Sequence, residues 1–190
     1  MTDLKASNVR THLPGDGHMW FMVLGDLFIF GSYFIAYLVF RTRAPQQFLA
    51  DQQHLNITIG VINTIVLITS SWLVAQSVQS ARTGDRAGAI GLVQAGALCG
   101  VLFAVLKIYE WSAEIHAGHT NSSAFFSFYY VLTGVHLFHV GLGLLILGVV
   151  VRELRNPRRG RVSMVEQGAT YWHMVDLLWV VIFALLYVMR

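Results

Sequence analysis

The sequence predicts an all-α polytopic membrane protein, a bundle of five transmembrane helices. Three observations carry this. Only 12% of the 190 residues are charged and 55% are hydrophobic, whereas an ordinary soluble domain carries about 25% charged residues. Five apolar stretches, at about residues 18–40, 55–80, 87–112, 124–151 and 168–189, reach the roughly 20 residues that a helix needs to cross a hydrocarbon core about 30 Å thick. The three prolines, Pro14, Pro45 and Pro157, fall outside all five, as unkinked spans require, because an interior proline removes a helix hydrogen bond and clashes with the preceding turn. A water-soluble enzyme domain and a disordered chain are both excluded by this composition. A net charge of only +3 argues against a nucleic-acid binder, and the single Cys99 against a disulfide framework or a cysteine metal site.

Residues 1–17 read as a polar, cytoplasmic N-terminal segment, and residues 18–190 as the transmembrane domain. No cleavage pattern precedes the first apolar run, so that span is expected to stay in the mature protein. It carries one acid, Asp26. Arg41 and Arg43 end it, and Pro45 opens the following loop. The second span leads through Gly84–Arg86 into the third, which holds Gly96 and Gly100 and then Lys107 and Glu110. Those two ionisable groups, three residues apart, read as an intrahelical pair whose lysine snorkels outward. A cation or quinone site is the sharper alternative. The fourth span carries His136 and His139, with Gly134, Gly141 and Gly148 repeating every seven residues. These glycines, with Gly96 and Gly100, are expected to allow close helix packing, within the bundle or against another subunit. The last span carries His173 and Asp176. Trp20, Trp111, Tyr129 and Trp172 fall near span ends and read as interfacial aromatics.

Loop charge gives a direction. Lys5, Arg10, Arg82, Arg86, Arg152, Arg155, Arg158, Arg159 and Arg161 fall on one side and Arg41, Arg43 and Arg190 on the other, nine against three. The N-terminus is therefore expected in the cytoplasm and the C-terminus outside, in a bacterial inner membrane.

Ionisable groups inside a span are expensive and face the protein interior or a partner. With about 1.5 Å of rise per residue, Asp26 and Asp176 each lie roughly 12 Å from the cytoplasmic edge, and His136, His139 and His173 lie near the same depth. Five titratable side chains from three helices thus form one expected polar layer, in which Asp26 faces His136 or His139. Such a layer could fix helix register, contact a lipid headgroup or partner, conduct protons, or ligate haem or metal. The sequence shows no set of three or four convergent ligands, no nucleophile–base pattern and no phosphate loop.

Several stretches resemble one family. Val165–Trp179, V-E-Q-G-A-T-Y-W-H-M-V-D-L-L-W, resembles the last helix of haem–copper oxidase (cytochrome c oxidase) subunit III. Ser123–Gly143, with T-G-V-H-L-F-H-V-G, resembles the helix before it. Ile62–Ser71, Gly84–Arg86 and Glu110 match that family's N-T segment, G-D-R turn and helix glutamate. Together the matches run over about residues 18–189. Asp26 stands where the family carries an intramembrane glutamate, and Lys107 where glutamine is usual. His12–Trp20, H-L-P-G-D-G-H-M-W, resembles the short, five-helix accessory branch that accompanies nitric oxide reductases. Longer members have seven helices, with a lipid-holding cleft made by the first two, which this chain is expected to lack.

The resemblance implies a non-catalytic accessory subunit, with haem and metal carried by a catalytic membrane subunit beside it. It implies support of that partner's stability and sustained turnover, in a nitric oxide reductase or, alternatively, a terminal cytochrome oxidase where it supports proton uptake. Asp26, Glu110, His136, His139, His173 and Asp176 transfer as buried polar positions, not redox ligands. No cofactor in this chain, a bound phospholipid as an option, and no nucleic-acid partner complete the expectation. A small membrane transporter and a membrane-bound haem cytochrome are the readings from other classes.

Overall fold

A computed structural model describes residues 17–120, 123–156 and 162–189, with side chains from Trp20 onward. Helix α1 (Gly17–Arg43) is followed by α2 (Pro45–Gln52), α3 (Ile57–Arg82), α4 (Arg86–His116), α5 (Ala124–Arg155) and α6 (Val162–Phe183), which runs into a π-helical turn at Ala184–Val188. Among the described residues, five of these helices are long and apolar enough to cross a membrane. Helix α2 is a sixth, which the apolar pattern does not predict. It is eight residues long, has proline in its first turn, and buries only Phe48 and Gln52.

Local chemistry sets the boundaries. Asn56 caps α3 by accepting from Thr58 N at 3.0 Å, as N-cap side chains do. The tight turn into α4 needs the left-handed backbone of Gly84, φ +86°, and Asp85 then accepts from Gly88 N at 2.9 Å. Ser123 caps α5 through Phe126 N at 3.2 Å. At the end of α6, Met189 N reaches back five residues to Ala184 O at 2.9 Å, and Tyr37 donates to Leu185 O at 3.1 Å. This wider turn sets where Tyr187 points.

Helix α6 is the centre of the bundle: 61% of its apolar stretch is buried, against 17% for α1. It packs on α3 and α5, α4 closes the ring against α3 and α5, and α1 lies outside on α5 and α6. The alternating path places Arg82, Arg86, Arg152 and Arg155 at one end and Arg41 and Arg43 at the other. Lys5, Arg10, Arg158, Arg159, Arg161, Arg190 and most of the His12–Trp20 motif lie outside the described residues.

One side chain locks four helices together. The Trp172 indole of α6 lies against Gly100 of α4 and Gly143 of α5, so closely that a Cβ on either would fall 2.6 or 2.7 Å from the ring. Its Nε1 donates to Ser70 Oγ of α3 at 3.0 Å, and Ser70 donates to Gly96 O of α4 at 2.7 Å. Trp172 is therefore a core residue and not an interfacial one, and Tyr129 is likewise fully buried. The seven-residue glycine repeat is also corrected. A Cβ added at Gly134 would fall 3.3 Å from Trp111, one at Gly141 or Gly148 would meet nothing within 4 Å, and the close approach on α5 belongs to Gly143. Close approaches also occur away from this ring, where a Cβ on Gly96 would fall 2.8 Å from Val74 and one on Gly168 2.8 Å from Val150.

Replacing Gly100 by valine should destabilise the protein by about 1–3 kcal/mol through overpacking. Gly141→Ala should leave it unchanged or slightly more stable. Unfolding in detergent, followed by tryptophan fluorescence, separates the two; equal losses would count against the Trp172 lock.

Candidate functional site

The ionisable residues singled out in the spans, Asp26, Lys107, Glu110, His136, His139, His173 and Asp176, lie in four separate places. In the first, Asp26 Oδ1 of α1 is 3.5 Å from His139 Nε2 of α5. His139 Nδ1 is 2.7 Å from Val135 O; a carbonyl only accepts, so Nδ1 carries a proton. Nε2 is then the ring nitrogen turned toward the Asp26 carboxyl. The Phe30 ring covers the imidazole edge-on, with centroids 5.3 Å apart.

The second place holds His136 alone. It is fully buried between Phe103 and Trp179, with ring centroids at 5.6 and 5.4 Å, and neither nitrogen has a hydrogen-bond partner. In the third, Ser71 Oγ of α3 is 2.7 Å from His173 Nδ1 of α6. Asp176 Oδ2 lies 4.0 Å from the same nitrogen, and neither carboxylate oxygen has a hydrogen-bond partner.

The single polar layer is thus corrected to three separated groups. Two facts explain this. Helix α6 begins at Val162 rather than near 168, so Asp176 is fourteen residues in, about 21 Å along the helix. His136 and His139 share a helix face loosely, but α5 is covered there by different neighbours, α4 and α6 on the His136 side and α1 on the His139 side. Among the described residues no three histidine, cysteine or carboxylate side chains come together as a ligand set.

The fourth place surrounds Lys107, which is fully buried. Its Nζ donates to Glu110 Oε2 at 3.1 Å, Tyr129 OH at 3.2 Å and Tyr187 OH at 2.7 Å. Both tyrosines donate to Glu110 Oε1, Tyr129 at 3.1 Å. The rings of Tyr129, Tyr187 and Trp179 also flank the ammonium, 4.5–5.3 Å from it, within cation–π range. The pair itself matches its spacing, but the lysine does not snorkel. Helix α4 continues to His116, which leaves Lys107 nine residues from its end, about 14 Å. Tyr129 and Tyr187 are the partners that sequence spacing misses. One turn further out, Glu114 meets His119 Nδ1 at 2.8 Å, and His119 lies beside His54, with centroids 4.4 Å apart.

This arrangement can hold protons and fix helix register. His136 and the Lys107 group are sealed in the interior, His173 and Asp26 keep part of their side chains exposed, and the groups do not converge on a shared space.

A family profile described as cytochrome c oxidase subunit III matches residues 15–190. The chain is 32% identical over 203 residues to cytochrome c oxidase subunit 3 of Synechocystis sp., covering 99% of this chain and 86% of that one. It is 32% identical over 170 residues to cytochrome c oxidase subunit 3 of Thermostichus vulcanus, covering 88% and 83%. It is 28% identical over 179 residues to heme-copper oxidase subunit I+III of Aeropyrum pernix, covering 89% of this chain and 22% of that longer one.

Removing one partner of a buried ion pair strands the other, at about 3–5 kcal/mol. Lys107→Met should therefore destabilise the bundle on that scale. Adding Glu110→Gln to it should recover part of the loss, because the two act as a unit. Denaturant unfolding of single and double variants measures this; strict additivity would show the pair to be uncoupled.

Proposed function

The chain belongs to the cytochrome c oxidase subunit III family, and from that premise we propose that it is a non-catalytic accessory subunit of a respiratory haem–copper superfamily complex. It packs against the catalytic, haem-bearing membrane subunit and supports its stability and sustained turnover. The observation that carries this reading is the dispersal of the intramembrane polar groups into separate places that share no reaction space. The Aeropyrum pernix relative adds support: its name joins subunits I and III in one chain, which fits two components that work side by side.

The N-terminal motif around His12–Trp20 favours a nitric oxide reductase as the partner complex. The second reading is a terminal cytochrome oxidase, favoured by the oxidase names of the relatives. Loop charge supports an N-terminus in the cytoplasm of a bacterial inner membrane. The closely packed interior around Trp172 weighs against a transporter with a path through the bundle.

Co-purification in mild detergent, with identification of the haem-bearing partner, tests the assignment. The isolated chain should show no haem Soret band; stoichiometric haem in it would overturn the accessory reading. Asp26→Ala removes one half of the α1–α5 pair, and should shorten the complex's working life during turnover more than it lowers the initial rate. Immediate, complete loss of electron transfer with assembly intact would contradict that role.

A further inference from the structure

Gly141 and Gly148 are the members of the seven-residue repeat that pack against nothing. Gly148 is exposed on α5 and floors a groove of about 480 Å³ between α4 and α5. Leu98 and Val101 of α4 and Leu144 of α5 supply apolar walls, and Gln94 and Arg155 complete the lining. Arg155 is the last residue of α5, so it stands at the mouth of the groove, at the arginine-rich end of the bundle. Leu144 lies eleven residues earlier, about 16 Å along the helix. That is close to the depth of one leaflet's hydrocarbon, about 15 Å.

The charge at this mouth is open to a ligand. Arg155 is exposed, and among the described residues no carboxylate stands within ion-pair distance of it. Arg152, also exposed, is three residues away on the same helix; Glu153, two residues away, points to another side of it. Other grooves differ. One between α3 and α6 also reaches an arginine, but there Glu166 meets Arg82 at 2.8 Å. The groove between α5 and α6 near Met22 is mostly aliphatic, and no charged side chain lines it. Basic pockets between transmembrane helices are the sites that hold anionic lipid headgroups.

We propose that the α4–α5 groove binds an anionic phospholipid of the leaflet at the arginine-rich end. The lipid phosphate pairs with the Arg155 guanidinium, whose planar fork suits two phosphate oxygens at once. The Gln94 amide donates to an ester oxygen. One acyl chain lies over Gly148 between Leu98 and Leu144. The exposed glycine then has a use that no helix–helix seam gives it, because a large side chain there would stand in the track of the acyl chain.

The test uses the full chain in phosphatidylcholine vesicles that carry a trace of phospholipid with a photoreactive group in its acyl chain. Labelled phosphatidylglycerol should form adducts at Leu98, Val101 and Leu144 about fivefold more often than labelled phosphatidylcholine, the scale of one basic side chain at an anionic headgroup. Arg155→Gln should abolish that excess and leave the phosphatidylcholine labelling as it was. Gly148→Leu should remove the adducts of both lipids, whereas Gly141→Leu, outside the groove, should keep them. A Cβ at either glycine meets nothing within 4 Å, so both variants are expected to fold. Equal labelling by the two lipids, an excess that survives Arg155→Gln, or adducts that survive Gly148→Leu each overturn the site. So does a phosphatidylglycerol excess of the same size at Leu24 and Phe28, which are exposed on α1. In native membranes, a photo-crosslinking residue in place of Leu98 should capture lipid. Capture of another membrane protein there would put a partner helix in the groove and overturn the lipid site, while the accessory-subunit reading would stand.

Discussion

Helices surrounded by hydrocarbon gain nothing from hydrophobic attraction to one another, so their association depends on close fit and a few interhelical hydrogen bonds. Trp172 supplies both at one point. Its ring fills the gap that Gly100 and Gly143 leave open, and its single donor is taken by Ser70. Ser70 passes the connection on to the Gly96 carbonyl. Helices α3, α4, α5 and α6 thus meet through one indole, and the polar groups find their positions relative to that fixed centre. With α6 held there, His173 and Asp176 turn toward α3, Trp179 reaches Thr64 of α3 at 3.0 Å, and Tyr187 arrives over Lys107.

The Lys107 network makes a second, different fastening. Trp172 joins helices by shape, whereas Lys107 joins them by saturation: its three donors meet three acceptors drawn from α4, α5 and the π-helical turn. Burying an ammonium is tolerable only with such complete pairing. Two fastenings at different heights along α4 leave that helix little freedom to slide or rotate. Helix α1, by contrast, is attached through the Asp26–His139 pair and aromatic contacts such as Phe40 with Phe128, and most of its surface faces outward.

The spans were legible because crossing a bilayer demands apolar length, which a sequence displays directly. Gly84 and Asp85 announce their turn for a similarly local reason. What was not legible depends on distance along the chain. Tyr129 and Tyr187 lie 22 and 80 residues from the lysine they serve, and nothing near them marks the link. Helix α2 has too little apolar surface to register, and is held by Phe48 between Tyr37 and Phe125. A seven-residue glycine spacing implies one long helix–helix seam, whereas the close approaches fall at Gly96, Gly100, Gly143 and Gly168, set by individual side chains of facing helices. The common depth expected for Asp26, the histidines and Asp176 fails because α6 starts at Val162, earlier than its apolar run shows, and because different helices stand between the side chains.

The buried Lys107–Glu110 contact has an electrical consequence. The formal charges of a lysine and a glutamate held 3.1 Å apart cancel. A full elementary charge in a membrane held at 100 mV feels about 2.3 kcal/mol of electrical work, whereas a pair of opposite charges presents the field with a small dipole. The pair can therefore sit within an energised membrane without being pulled across it.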